Sequence, residues 1–94
     1  MSRTEEFDTA IKRVTQDRGK IYGHPLDDFA RASMIKYALS ACRHTEVRHA
    51  LEQIATKMSR LCSDPTHMDS VIDIAGYARC IASLLDEEEN RNAG

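Results

Sequence analysis

The spacing of apolar residues divides the chain into four helix-length segments. Apolar side chains recur every three or four positions in each, which is the pattern of an amphipathic helix. The predicted helices cover residues 5–18, 27–43, 46–63 and 67–88, with N-caps at Thr4, at Asp27 or Asp28, at Thr45 and at Thr66. Residues 19–25 hold two glycines and a proline and predict a loop. Short connections make neighbouring helices antiparallel, so the predicted fold is an all-α antiparallel bundle of about four helices, forming one domain over residues 1–94.

The second predicted helix is apolar around more than half of its circumference. Such a helix lies in the centre of a protein or in an interface between copies. A chain of 94 residues buries only about 60–65% of its unfolded surface and gains stability from association. We therefore expect a homo-oligomer in which positions such as Ile35 and Leu39 face a partner copy.

The fourth predicted helix has an apolar face and one interior glycine. The face predicted to be buried consists of Met68, Val71, Ile72, Ala75, Ala78, Ile81, Ala82 and Leu85. Gly76 costs about 1 kcal/mol relative to alanine in a helix interior, which indicates either close helix packing or a ligand that needs the space. Thr66 followed by Asp69 resembles a capping box. Residues 87–94 form an acidic tail that we expect to fray, because the helix dipole disfavours negative charge there.

Composition is that of an ordinary water-soluble globular domain, with 41% hydrophobic and 30% charged residues. The net charge of -2 is spread along the chain, so there is no basic footprint for a nucleic acid polymer and no cationic face for a membrane. No apolar run or leader-like segment predicts membrane insertion or export, so we expect a cytoplasmic protein. Three cysteines without metal-site spacing predict reduced core thiols and no metal site.

A polar constellation occupies the third and fourth predicted helices. Lys57 and Arg60 lie three residues apart, and Asp69, Asp73 and Tyr77 repeat at helical spacing. Cations and carboxylates beside a phenol suit a phosphorylated, hydrogen-bonding ligand such as a nucleotide. An interhelical salt-bridge network suits the same residues, and both interpretations stay open at this point.

Three motifs carry a resemblance to a known family. They are Tyr22-Gly23, Lys57-x-x-Arg60 and Asp69-Ser70-x-x-Asp73-x-x-Gly76-Tyr77-Ala78. Their order resembles a small helical family of bacteriophage genomes and is similar to the nucleotide-modification-associated domain, over residues 19–79. The resemblance implies nucleotide biology in a phage-infected bacterium, without assigning a reaction.

The resulting hypothesis is a phage protein that binds and sequesters a nucleotide or a nucleotide-derived second messenger, as an anti-defence sponge without turnover. Lys57 and Arg60 would bind phosphate, and the two aspartates would accept hydrogen bonds from sugar or base. Tyr22 or Phe29 would stack on a base. The complete candidate ligand site is Tyr22, Gly23, His24, Phe29, Lys57, Arg60, His67, Asp69, Asp73, Gly76 and Tyr77.

Two alternatives remain. A Mg²⁺-dependent all-α nucleotide pyrophosphohydrolase needs about four carboxylates. The third helix offers Glu46 and Glu52 without an E-x-x-E motif, and Asp69 with Asp73 supplies at most half a site. We therefore expect no catalytic residues and no cofactor, with Mg²⁺ needed only under that alternative. The other alternative is a helical interaction protein that blocks a host factor.

Overall fold

The computed structural model describes residues 2–93, except for the side chains of residues 15–22. Within that part, the elements are α1 (Arg3–Tyr22), α2 (Pro25–Ala38), a 3-10 helix (Leu39–Ala41), α3 (Thr45–Ser63) and α4 (Met68–Ala93). No residue of 2–93 lies in a strand, so the all-α prediction is confirmed. No helix in this part is both long and apolar enough to cross a membrane.

Helix α1 is longer than the sequence predicted. It begins at Arg3, after Ser2, whose Oγ accepts a hydrogen bond from the Glu5 amide at 3.2 Å. It then continues through Gly19, the predicted end, because a helix interior tolerates one glycine at about 1 kcal/mol. The helix ends at Gly23, whose φ of 78° lies in the left-handed region that glycine adopts readily. The predicted loop of residues 19–25 was wrong, and the connection consists of Gly23 and His24.

Histidines cap the starts of α2 and α3. His24 Nδ1 accepts from the Leu26 amide at 3.1 Å, and His44 Nδ1 accepts from the Val47 amide at 3.1 Å. The predicted caps, an aspartate for α2 and Thr45 for α3, were wrong because a neutral imidazole nitrogen satisfies the free amides of the first turn. Helix α2 therefore begins at Pro25, where the missing N–H costs nothing.

A histidine also precedes α4. His67 Nδ1 lies 2.7 Å from Ser70 Oγ. The predicted capping box of Thr66 and Asp69 was wrong, because the Thr66 hydroxyl donates to Asp64 Oδ1 at 2.7 Å instead. At the other end, α4 extends to Ala93; fraying of residues 87–94 in solution stays a prediction.

Helix α3 is central in the described part of the chain. It packs against α4 along most of its length and against α2 on its other side, whereas α2 and α4 do not touch each other. Of the two positions expected for the second helix, the centre is therefore occupied by α3, and an interface between copies stays a prediction. Ile35, expected to face a partner copy, is half-buried on the α3 side instead. One face of α2 packs on α3 through Asp28, Ala32 and Ile35, and the opposite face points to solvent.

Helix α4 turns a different side towards α3 from the one that the sequence predicted. Its buried or half-buried positions include Ser70, Ile74, Tyr77, Ile81 and Leu84. Of the eight positions predicted to be buried, Ile81 alone is half-buried, and the other seven are exposed. Burial of the thiols was also wrong for Cys62 and Cys80, which are exposed. The most apolar stripe of α4 thus has no cover within the described chain.

The folded chain exposes a large surface. Among the residues whose side chains are described, the buried apolar residues are Ala32, Ala50 and Ala55, all small. The accessible surface is 7136 Å², compared with about 5,500 Å² expected for a folded monomer of this mass. The radius of gyration is 17.1 Å, compared with about 12 Å for a compact domain of this length. The single chain therefore leaves unburied much of the apolar surface that a compact fold of its size would cover.

Candidate functional site in a groove along α4

The seam between α3 and α4 brings together part of the predicted constellation. Lys57 Nζ of α3 lies 2.9 Å from Asp73 Oδ2 of α4. The Lys57 side chain is 16% exposed and Asp73 is 46% exposed, so the cation is held mostly among protein atoms while the carboxylate reaches solvent. This pair is an interhelical salt bridge, the contact expected from one of the two interpretations that the sequence left open.

A groove runs beside this ion pair. It has a volume of about 320 Å³ and is lined by Ile72, Asp73, Gly76, Tyr77 and Cys80, all from one side of α4. That volume lies at the lower end of the range of about 300–1,000 Å³ for small-molecule sites. The groove is shallow and open to solvent, and three predicted site residues, Asp73, Gly76 and Tyr77, line it.

Gly76 leaves this groove open. A Cβ atom built at Gly76 would meet no described heavy atom within 4 Å. Of the two explanations offered by the sequence, close helix packing does not apply within the described chain. The remaining explanation, space for something outside the chain, agrees with the position of Gly76 in the groove.

Other members of the constellation lie on α3 and at the start of α4. Arg60 is half-buried, and its Nε atom is shielded from solvent. At 100° per residue, Arg60 lies about 60° around α3 from Lys57. Asp69 is exposed one turn before Asp73, and His67 is half-buried at the start of α4. None of these three residues lines the groove.

The predicted residues from the α1–α2 region lie elsewhere. Gly23 lies against Ser63 at the end of α3, where an added Cβ would be 3.3 Å from the Ser63 Oγ. His24 is exposed and caps α2, and Phe29 is exposed on α2. The side chain of Tyr22 lies outside the described residues. Among the described residues, none of this group lines the groove.

A buried polar network between α2 and α3 was missed by the sequence analysis. Asp28 is 2% exposed and Ser59 is 0% exposed. Ser59 Oγ lies 2.6 Å from Asp28 Oδ1 and 2.9 Å from the Asp28 carbonyl oxygen, so its single proton can serve either acceptor. Arg31 Nη1 donates to the Ser59 carbonyl oxygen at 2.9 Å. Because Asp28 shares a stripe with Ala32 and Ile35, the missed signal was a carboxylate on an apolar face.

A second polar cluster joins the start of α3 to the end of α4. His44 Nε2 lies 2.9 Å from Glu88, and His44 Nδ1 lies 3.6 Å from Glu46 Oε2. The hydrogen bond to Glu88 raises the pKa of His44, the negative charges of Glu88 and Glu46 act in the same direction, and burial opposes them. One ligand atom from each residue lies within 4.8 Å of the others. These are donor types that bind divalent metals, yet His44 already accepts the Val47 amide hydrogen bond at Nδ1 and lies within hydrogen-bond distance of Glu88 at Nε2.

The second cluster is separate from the groove. Glu88 follows Asp73 by fifteen residues on the same helix, which corresponds to about 22 Å along its axis. The cluster therefore supplies no carboxylate to a ligand bound beside Gly76. Its members pair across 44 residues of sequence, a separation that helical periodicity does not reveal.

Fold and groove together define an all-helical protein with a shallow, open groove on its last helix. The chain belongs to the family described as Domain of unknown function (DUF6378), which matches residues 5–85. It is similar to the Gene 55 protein of Mycobacterium phage D29, with 28% identity over 81 residues. That match covers 86% of this chain and 54% of the relative, so the chain spans about half of the relative's length. No solved structure matches the chain. The expectation of a bacteriophage family is confirmed at this level.

Proposed function

We propose that this chain is a phage protein that binds and sequesters a nucleotide or a nucleotide-derived second messenger in the α4 groove. The observation that carries the proposal is the junction of the Lys57–Asp73 ion pair with a groove of about 320 Å³ lined by Tyr77 and Gly76. A cation, an acceptor and a phenol are the groups that recognise phosphate, hydroxyl and base. The site of action would be the cytoplasm of the infected bacterium.

The ion pair gives the site a simple way to accept an anion. A phosphate oxygen would compete with Asp73 for the Lys57 ammonium, and Arg60 would add a guanidinium at the same end of α3. Asp73, released from Lys57, would accept a hydrogen bond from a sugar hydroxyl or a base N–H. Open space at Gly76 would let the ligand approach the α4 backbone closely.

We also propose that the protein acts as a homo-oligomer. Its accessible surface exceeds the value expected for a compact monomer by about 1,700 Å², and obligate homodimers bury about 2,000–5,000 Å² in total. Two chains that each bury their excess would reach that range.

A ligand panel tests the binding proposal. Melting temperature would be recorded with nucleoside mono- and triphosphates and with cyclic dinucleotides, because a ligand that binds the folded state raises it. Lys57→Ala should weaken the affinity for the ligand found by about 10- to 150-fold, since a hydrogen bond to a charged group contributes about 1.5–3 kcal/mol. Lys12→Ala, which removes an exposed lysine of α1, is the matched control and should leave affinity unchanged.

Two results would overturn the proposal. The first is the absence of any stabilisation across the panel at millimolar ligand. The second is release of pyrophosphate from a nucleoside triphosphate with Mg²⁺ or Mn²⁺ above background, abolished by Asp73→Asn, because sequestration requires an intact ligand. That second result would establish the pyrophosphohydrolase alternative.

A further inference from the structure

The first half of α1 projects from the rest of the fold. Every residue from Ser2 to Val14, here called the arm, is exposed. The arm nevertheless carries an apolar stripe in which Phe7, Ala10 and Val14 recur at helical spacing, and Phe7 is 64% exposed. A helix of this length is marginal in water without tertiary contacts. The described residues of its own chain therefore do not cover this stripe.

The face of α2 that points away from α3 has the complementary property. Leu26, Ala30, Met34 and Tyr37, here called the outer seam, follow one another at intervals of three or four residues. All four are exposed, and Tyr37 reaches 83%. The other face of α2 already packs on α3, so α2 has a second apolar face that the described residues leave exposed.

We infer that the arm of one copy packs on the outer seam of a second copy, and that the second copy returns the same contact. The arm has 13 residues and α2 has 14, so both are about 20 Å long. Because the arm and the outer seam belong to the same chain, a dimer with two-fold symmetry forms the contact twice and covers both surfaces in both copies. The inference rests on the homo-oligomer part of the proposed function and is independent of any ligand.

The connection between α1 and α2 favours exchange between copies. Only Gly23 and His24 join the two helices, and the positive φ of Gly23 sets the direction in which α1 leaves. With that geometry, the arm and the seam of the same chain are both exposed. Exchange of an identical element is a low-cost route to a dimer.

Mass measurement with charged variants tests the contact. Light scattering at tens of micromolar should give the wild-type chain twice its mass of 10.6 kDa. Phe7→Glu and Tyr37→Glu, each placing a charge in the contact, should both halve that mass. Thr9→Glu adds the same charge to the opposite side of the arm, about 200° from Phe7, and should remain a dimer.

Mixing the two monomeric variants distinguishes arm-on-seam exchange from other dimers. In a mixed dimer, the wild-type arm of the Tyr37→Glu chain meets the wild-type seam of the Phe7→Glu chain, so one contact is fully restored. The mixture should therefore regain dimer mass at concentrations where each variant alone is monomeric. In a dimer that pairs arm with arm and seam with seam, every contact of the mixed pair carries one charge, and no rescue occurs.

Three outcomes would overturn the inference: a monomeric wild-type chain, an unchanged mass for Phe7→Glu, or a mixture that stays monomeric. If the wild type is a dimer and the variants keep its mass, the proposed homo-oligomer stands and only the contact between arm and outer seam is refuted. If a variant loses its helical circular dichroism, hydroxyl-radical footprinting of the wild-type protein replaces it. Met34 and Tyr37 should then be protected at tens of micromolar, and fast modification of both would contradict the contact.

Discussion

Replacement of Gly76 by alanine separates three explanations for a glycine in the middle of α4: close packing of another helix, space for a ligand in the groove, and an open groove that binds no ligand. In the structure, an added Cβ meets no described heavy atom within 4 Å, so the new methyl group creates no clash. Alanine is favoured over glycine by about 0.8–1.0 kcal/mol in a helix interior. Gly76→Ala should therefore stabilise the ligand-free protein by about 1 kcal/mol, which raises the melting temperature of a domain of this size by about 4–8 °C.

The same methyl group would protrude into the groove. We therefore expect Gly76→Ala to weaken nucleotide binding while it stabilises the fold, a combination that a structural glycine would not show. Thermal unfolding by circular dichroism measures the first effect, and a ligand titration measures the second. The reverse change Ala78→Gly, at an exposed position of α4, calibrates helix propensity on this helix and should destabilise by a similar amount.

Gly76→Ala has a clear contrary outcome. A fall in melting temperature would mean that another helix packs closely on Gly76, and the open groove would not exist in solution. A rise with unchanged nucleotide affinity would mean that the groove is open but that the ligand binds elsewhere.

Two further predictions concern the polar clusters. Ser59→Ala removes a fully buried donor to Asp28 and should destabilise the protein by about 1.5–3 kcal/mol. The control Ser63→Ala, at an exposed position with a 3.3 Å contact to Arg31, should cost less than about 1 kcal/mol. Equal losses of unfolding free energy in urea would contradict the buried network. Glu88→Gln should lower the pKa of His44 in an NMR titration, because Glu88 is the main cause of its elevation. Since that pKa is raised on folding, the stabilisation by Glu88 is fully present below about pH 6.5 and is lost as pH rises through the folded pKa. The difference in melting temperature between wild type and Glu88→Gln should therefore shrink at alkaline pH, and a constant difference would refute this origin.

Periodicity predicted the helices well and their boundaries less well. It located all four helices of the described chain, because apolar side chains recur at helical spacing in each of them. It failed at Gly19, because a glycine that continues a helix and one that ends it, such as Gly23, differ in φ and not in residue type. It also missed the histidine caps, because periodicity does not show which side chain accepts from the first free amides. Nor did it identify which apolar face of α4 meets α3, since the stripe of α4 chosen by hydrophobicity remains exposed.

The sequence predicted which candidate residues lie together where those residues repeat along one helix; that they bind a ligand stays a prediction. Asp73, Gly76 and Tyr77 share a side of α4, and Lys57 meets Asp73 across a seam that the short α3–α4 connection makes antiparallel. The pair of Asp28 and Ser59, 31 residues apart, could not be predicted because its partners are set by how α2 packs on α3. The placement of Gly23 against Ser63 follows from the same packing.

The most direct test of the central claim is an NMR titration of the isotope-labelled protein with the nucleotide that stabilises it most. Binding in the groove predicts saturable shifts concentrated in the amides of residues 72–80 and in the side-chain signals of Lys57. Amides of the outer part of α2, such as Met34, should not move. Shifts confined to other helices, or no shift with any nucleotide at millimolar concentration, would contradict a nucleotide site in the α4 groove.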